Sequence, residues 1–420
     1  MYRLMFQGFN FLVGLFIAAI GGADVFGTIS LLIVNAALLL LITGLGTDQA
    51  IVWHGATKKL AANKLFTFSF FAALFQILFF LCIAFFFLNN SGKSLLSHSS
   101  DYKIFYFELA YFSGIVLVEK YVSLLYAEHK TEICNILLAF VTFIALLILI
   151  LAKINDSASQ LINPFQFFCL LPAAQALVIA FYFHYNTHLR IAAVNRQDLN
   201  SLFNFSILVF ITNIIQFLAY RADYWIIDYY SPGESQLGIY AQANRFASLL
   251  WIIPNIIAGL MAPLISSPQK SFDAGDLAGI TRVFNFLNLF IAGLIIFSSY
   301  VIYTFFLTTD FLYGFKPLLL MLPGFYFFCI TLFLAAYFSA KNLLWINLAG
   351  SAICFLLIVT LDFILIPSMG IKGAAIANTI AYTASAVFTL ALFLKTSKLS
   401  VADILLIKKS DWNLLSKLRA

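Results

Sequence analysis

Runs of about twenty apolar residues recur from one end of this chain to the other, and that recurrence limits what the chain can become. A helix needs ~20 residues to cross the hydrocarbon of a bilayer. Inside lipid only a helix or a closed barrel satisfies its own backbone groups. Twelve runs are read here, over residues 4–20, 30–45, 65–88, 104–126, 133–151, 162–184, 202–229, 237–265, 283–307, 312–339, 343–365 and 371–394. Charged residues are 10% of the 420 positions and hydrophobic ones 63%, against about 25% charged in a soluble domain. The expected fold is therefore an all-α polytopic membrane protein with about twelve transmembrane helices. The first run opens after Met1-Tyr2-Arg3 and ends without a small-residue cleavage site, so it reads as a span and not as a removable signal.

The polar segment 185–201 divides the runs into two sets of six. Two six-helix bundles are expected, 1–185 and 200–395, followed by a cytoplasmic amphipathic tail, 396–420. An even number of spans per half leaves the halves parallel, related by an axis along the membrane normal. The tail interleaves Leu399, Leu405, Ile407, Trp412 and Leu415 with basic residues, the pattern of a helix lying on an anionic leaflet. A loosely ordered solubilising tail fits the same composition. Basic residues set orientation. Arg3, Lys58, Lys59, Lys64, Lys130, Arg190, Arg196, Lys270, Arg282, Lys341 and the basic tail fall on one side, and only Lys93, Lys103, Lys153 and Lys372 on the other. The first side is expected to be the cytoplasm, with both termini there.

Within this apolar chain, residues 213–266 carry what a span ordinarily excludes: Arg221 and Asp223 in one helix, and Asn244, Arg245 and Asn255 in the next. A charge at the centre of a spanning helix costs at least ~2.5–3.5 kcal/mol on insertion scales. Such residues persist where they face a wet, protein-lined cavity. At 100° per residue, Asn213, Gln216, Tyr220 and Asp223 share a narrow sector. Tyr240, Asn244, Ser248, Trp251 and Asn255 form a similar stripe. Arg221 and Asp223 are two apart and point to different surfaces, so they are not each other's partner. The stripes are read as the lining of a path for a polar or charged substrate. Interhelical hydrogen bonding would place the same Asn and Ser residues there.

Acids held in spans are candidates for ion coupling, because a desolvated carboxylate takes up a proton readily. They are Glu119 and Glu108, eleven apart on one face of the fourth helix, with Asp223 and Asp362. Pairing of Glu119 with Arg245 or Lys120 as a structural link is the alternative. Pro172, Pro254, Pro263, Pro317 and Pro323 interrupt spans and are hinge candidates, although such prolines are ordinary in membrane helices.

No phosphate-binding glycine loop, dinucleotide fingerprint or zinc motif is present, so no cofactor is expected. His54, His98, His129, His184 and His188 are dispersed, and the five cysteines lack metal or redox spacing and read as packing residues. The net charge of +6 is scattered over loops and tail, which is no nucleic-acid footprint. Loops too short for a catalytic domain argue against an enzyme and against direct use of ATP. A carrier would then run on an ion gradient or on its substrate's own gradient.

Five segments resemble a known family. Arg221-Ala-Asp223-Tyr-Trp-Ile-Ile, Leu237-Gly-Ile-Tyr240-Ala-Gln-Ala243 and Met261-Ala-Pro263-Leu-Ile-Ser266 are similar to the seventh and eighth helices of the polysaccharide exporters, the Wzx-type O-antigen flippases. Ile366-Pro-Ser-Met-Gly370-Ile-Lys-Gly373-Ala-Ala-Ile-Ala377-Asn resembles that family's entry to the twelfth helix, and Phe338-Ser-Ala-Lys-Asn342 the end of its tenth. In the first half Ala18-Ala-Ile-Gly-Gly22 stands where the family often has an arginine. The resemblance implies the MATE-like fold of the multidrug/oligosaccharidyl-lipid/polysaccharide exporters. It implies an undecaprenyl-diphosphate-linked oligosaccharide moved across the bacterial inner membrane by alternating access, for O-antigen, capsule or exopolysaccharide synthesis. Membrane lipids, a proton or sodium ion, and a polysaccharide polymerase with its chain-length regulator are the implied partners. Arg221, Arg245, Lys120 and Lys316 are the cations available to an anionic diphosphate. A small-molecule or drug antiporter of the same fold would favour a net acidic cavity. A membrane polymerase or glycosyltransferase acting on lipid-linked glycans would need an extended outer loop or a carboxylate–metal site.

Overall fold

Lipid leaves each backbone amide no partner except its own helix, and the chain answers with long helices joined by short turns. The computed structural model describes residues 2–155, 162–187, 189–231, 234–266, 274–406 and 408. Pro232 and Gly233 of the short turn after the seventh run, His188, Lys270 and the tail beyond Lys408 lie outside the described residues. The helices are α1 (Tyr2–Gly44), α2 (Thr47–Ala56), α3 (Ala62–Ser91), α4 (Ile104–Ala127), α5 (Thr131–Ile154), α6 (Pro164–Asn186) and α7 (Arg196–Tyr230), then α8 (Glu234–Ser248), α9 (Ile252–Ser266), α10 (Ala274–Phe305), α11 (Phe315–Ala340), α12 (Leu344–Met369), α13 (Ile371–Ser397) and α14 (Ala402–Leu405). Short 3₁₀ turns at Leu249–Trp251 and Thr309–Gly314 precede α9 and α11.

Among the described residues ten helices are long and apolar enough to cross a membrane. Two features reconcile that number with twelve runs. The first is Gly22, at φ 74° and ψ −175°, inside α1. The half before it runs beside α5: the Phe9 and Phe143 ring centroids are 5.2 Å apart, and Lys153 Nζ donates to the Ala19 carbonyl at 3.0 Å. The half after it leads through α2 along α4, where Asp48 pairs with Lys120 and Gly55 lies against Ala127. Because α4 and α5 are antiparallel neighbours across a three-residue turn, Gly22 reverses the chain and α1 makes two passes. The second is α8, its 3₁₀ turn and α9, each too short alone but together one interrupted pass. The second pass also extends beyond the run at 30–45. It bends at Leu45–Gly46 and continues as α2.

The chain forms two compact units, Met1–Ile214 and Ile215–Ala420. The division falls inside α7 and not in the 185–201 segment. The start of α7 is tied to the first unit through Lys64 Nζ–Asp198 Oδ2 at 2.7 Å and His54 Nε2–Ser201 Oγ at 2.9 Å. Small residues make the tightest crossings. A Cβ on Gly114 of α4 would meet the Ala173 nitrogen of α6 at 2.5 Å, and one on Gly324 of α11 would meet Thr379 Cα of α13 at 2.5 Å. The core of the first unit gathers Ile51, Leu65, Leu125, Leu138, Ile179 and Phe183. That of the second gathers Leu277, Phe333, Phe338 and Phe393 with Ile404 of α14. The described start of the tail therefore folds back: Ile404 is fully buried and Arg282 donates to the Asp403 carbonyl. This stretch does not lie free on a surface. Cys134, Cys169, Cys329 and Cys354 are buried packing residues, whereas Cys82 is exposed.

Candidate functional site

The second unit buries its polar groups where α7, α8, α12 and α13 meet. Asp223 of α7 is 1% exposed. Its carboxylate accepts from the Tyr240 hydroxyl of α8, from Asn378 Nδ2 of α13 at 3.1 Å, and from the Tyr224 amide at 3.0 Å. Asn378 Nδ2 also reaches the Tyr240 oxygen at 2.6 Å. Asp362 of α12 is fully buried, and among the described residues neither of its carboxylate oxygens has a hydrogen-bond partner; the Asn378 carbonyl oxygen is likewise unpartnered. Asp362 lies within electrostatic range of Asp223 and Tyr240. Buried acceptors facing no donor are costly unless a proton or cation joins them. A proton or a small monovalent cation is what this cluster can take.

Arg221 and Asp223 lie within electrostatic range of each other. Arg221 forms no ion pair among the described residues; it donates from Nη1 to the Tyr224 hydroxyl at 2.9 Å, its guanidinium carbon 5.1 Å from that ring's centroid. Arg245 of α8 interacts electrostatically with the same tyrosine. Both arginines thus act on one phenol. Next to them Tyr220, Trp251, Phe325, Phe328 and Tyr382 pack ring on ring, with Trp251 and Phe325 stacked at 4.3 Å. Trp251 Nε1 donates to the Phe325 carbonyl at 3.0 Å.

The two polar stripes survive in part. On α7, Gln216 donates to the Tyr220 hydroxyl at 3.1 Å and is itself exposed, while Asn213 is half-buried. On α8, Tyr240 and Asn244 are buried, and Asn244 Nδ2 lacks a partner among the described residues. Ser248 turns back to the Arg245 carbonyl at 2.8 Å. Asn255 is exposed, and it follows the 3₁₀ turn at Leu249–Trp251, whose 120° per residue advances the phase beyond that of an α-helix.

The first unit handles its charges differently. Lys120 of α4 is 3% exposed and pairs with Asp48 of α2, at 2.8 and 3.0 Å from the two carboxylate oxygens; Ser123 donates to Asp48 at 3.4 Å. Gly46, at φ 72°, makes this possible, and a Cβ there would meet the Ser206 carbonyl at 2.7 Å. Lys120 is therefore held by an acid and not offered as an unpaired cation. Glu119, beside it, is exposed. Glu108 is fully buried and accepts from Ser97 N at 2.7 Å, Ser97 Oγ at 2.6 Å and Leu96 N at 3.3 Å. It fastens the loop between α3 and α4, a structural duty.

With this geometry in place, comparison with known proteins becomes informative. The family described as "Polysaccharide biosynthesis protein" matches residues 22–314, about 70% of the chain. The chain belongs to this family. The match takes in Asp48, Lys120, Arg221, Asp223, Tyr240 and Arg245, while Lys316, Asp362 and Asn378 lie beyond it. No curated protein matches. Among solved structures, the chain is similar to the lipid II flippase MurJ in an inward closed conformation (17% identity, 99% of this chain and 91% of that one, TM-score 0.73). It is also similar to a multidrug resistance MATE family transporter of the MOP superfamily in its inward-facing conformation (14% identity, 93% and 94%, TM-score 0.67). At such identity these likenesses show the fold: this polysaccharide biosynthesis protein has the MATE and MurJ architecture.

Three residues of this family member that matter most to its charge balance carry no role in the sequence reading: Asp48, Asn378 and Tyr224. Asp48 follows Gly44 and Gly46, and an acid directly after a glycine break in an apolar run is a usable signal for a kink that returns a charge to the bundle. Asn378 sits in Gly373-Ala-Ala-Ile-Ala-Asn, a lone amide among small residues. Nothing in the sequence marks Tyr224 among nineteen tyrosines. Lys316, at the start of α11, is exposed, so it reaches neither the acids nor Tyr224 as a buried partner.

Proposed function

We propose that the protein is a flippase that carries an undecaprenyl-diphosphate-linked oligosaccharide across the bacterial inner membrane for O-antigen, capsule or exopolysaccharide synthesis. The observation that carries this reading is Arg221: a guanidinium inside a membrane-spanning unit whose hydrogen bond goes to a neutral phenol. A cation in no ion pair among the described residues, with a second arginine acting on the same phenol, is suited to an incoming diphosphate, and Arg binds phosphate oxygens in pairs. The nearby rings of Tyr220, Trp251 and Tyr382 suit sugar faces. The multi-pass membrane character and the family match support the reading at a coarser level. Both termini are placed in the cytoplasm on the basic-residue bias. A polymerase and chain-length regulator are the expected partners in the same pathway.

Energy is assigned to an ion gradient acting through Asp223, Asp362 and Asn378. Filling the cluster with a proton or sodium ion neutralises the unpartnered carboxylate. Emptying it leaves a buried charge, which favours a rearrangement of α7, α12 and α13 within their unit. In vesicles, Asp362→Asn is expected to remove dependence on the gradient; unchanged dependence would return the coupling role to Glu119.

The test of the substrate is a gene deletion examined for undecaprenyl-linked repeat units. Accumulation on the inner leaflet, relieved by the intact chain, supports the flippase. A second reading, a small-molecule or drug antiporter, is favoured by the buried acid pair, which would attract an organic cation. Loss of dye or drug efflux with normal surface glycan in the deletion strain would establish that reading instead.

A further inference from the structure

The first unit has a cleft that transport by Arg221 leaves unused. It has a volume of about 540 Å³ and opens where α2 ends, α3 begins and α4 turns into α5. Ligand pockets run about 300–1,000 Å³, so this one is large enough for a headgroup with the first part of a chain. Its floor is apolar: Leu60, Leu65, Leu124 and Leu189, with Gly55 and Ala127 in contact beneath. Its rim is basic. Lys58 and His129 line it, both exposed and, among the described residues, without a side-chain hydrogen bond or ion pair. The single acid there, Glu128, is held by Lys130 at 2.7 Å.

Two further observations fix its depth and its backbone. Trp53 stacks on Phe205 with centroids 5.0 Å apart, and Lys59 Nζ lies 4.0 Å from the Trp53 ring centre. Trp with a basic neighbour marks the boundary of hydrocarbon and headgroups. Lys58 and His129 both take left-handed conformations, at φ 54° and 59°, where α2 and α4 end. Glycine is the usual residue at such a position. A favourable end-of-helix charge explains a basic residue at either site. It does not explain why both line one apolar cleft.

We infer that this cleft binds the headgroup and proximal acyl chain of an anionic phospholipid from the surrounding leaflet, with Lys58 and His129 on the phosphate. Amphiphilic shape and charge both select it. A zwitterionic lipid fills the floor without compensating the rim, and a soluble anion meets the rim without filling the floor. Basic pockets at membrane depth bind acidic headgroups in this way. The inference does not rest on the flippase reading.

The test is native mass spectrometry of the full-length protein in detergent, titrated with phosphatidylglycerol or phosphatidylcholine. One phosphatidylglycerol per chain is expected to persist at detergent levels that strip phosphatidylcholine. A lysine near an acidic headgroup is worth about fivefold in binding, so Lys58→Gln with His129→Gln is expected to lower retention at least about fivefold. Ala61→Trp, which fills the cleft and keeps both side chains, is expected to lower it as well. Should these variants fail to fold, a diazirine-bearing phosphatidylglycerol added to the unaltered chain decides the matter: cross-links within 55–65 and 124–129 support the site. Equal retention of the two lipids, retention unaffected by the double substitution, or cross-links confined to other segments would overturn it.

Discussion

Each unit holds a cation among its helices, Lys120 buried and Arg221 half-buried, and the two resolve it in opposite ways. In the first, Lys120 meets Asp48 and the charge is closed within the bundle. In the second, Arg221 meets a phenol while the acids Asp223 and Asp362 are turned to other partners or to none. A buried ion pair is weak evidence for stability, but breaking one strands a charge. The contrast teaches where function resides. Charge already compensated within a unit holds the fold, and charge left over is available to a ligand or an ion.

That comparison breaks first, if it breaks at all, at Asp48. Asp48→Asn leaves Lys120 buried without its acid and is expected to cost ~3–5 kcal/mol, read as a lowered midpoint in detergent denaturation. Adding Lys120→Met should recover most of the loss. A single variant as stable as the wild type would show that Lys120 is not closed by Asp48. The next effect belongs to Glu108. Glu108→Gln exchanges charged acceptors for a neutral amide under the Leu96–Ser97 amides, at ~1.5–3 kcal/mol for hydrogen bonds to a charged group. Limited proteolysis should then cut the α3–α4 loop faster while transport per folded molecule stays the same. Lost gradient dependence in a stable Glu108→Gln protein would instead make it a coupling residue.

Smaller still is Tyr224→Phe, which keeps the ring but removes the hydroxyl beside Arg221. Because the guanidinium was not neutralised by that contact, stability should fall by only about 1 kcal/mol, while affinity for an anionic substrate holds or rises. A collapse in stability would mean that the phenol closes the charge after all. The smallest effect is on the tail. Asp403 is held well below the usual carboxylate range, chiefly by Lys408 and then by the Ser400 amide and hydroxyl. A depressed folded value gives stability that is present above the unfolded value of about 4 and is lost only as pH falls below it. Amide exchange across residues 398–406, corrected for intrinsic rates, should therefore be unchanged between pH 5 and 8. Loosening within that window would contradict the assignment.

How much of this was legible in the residues follows from what each feature depends on. Spans depend on local composition, so the twelve apolar runs foretold the architecture, even where Gly22 merges two of them and a 3₁₀ turn interrupts another. Arg221, Asp223 and Tyr240 stood out because polar groups are rare in such helices. What spacing on one helix cannot supply is the partner on another. Lys120 reads as available until α2 brings Asp48 to it, and Glu108 reads as a coupling acid until the preceding loop folds over its carboxylate. Asn255 shared a stripe with Tyr240 only while the helix kept 100° per residue. The tail read as a surface helix because Ile404 gives no sign, in sequence, of the core it enters.

The central claim, that Arg221 is held for an anionic substrate, is tested most directly by flipping of a polyprenyl-diphosphate oligosaccharide in proteoliposomes containing wild-type, Arg221→Lys or Arg221→Ala protein at matched insertion. Arg221→Ala is expected to flip at a rate at least about tenfold lower, as for loss of a charge-assisted contact, with partial activity for Arg221→Lys and thermal stability near that of the wild type. An Arg221→Ala protein that flips at the wild-type rate would contradict it.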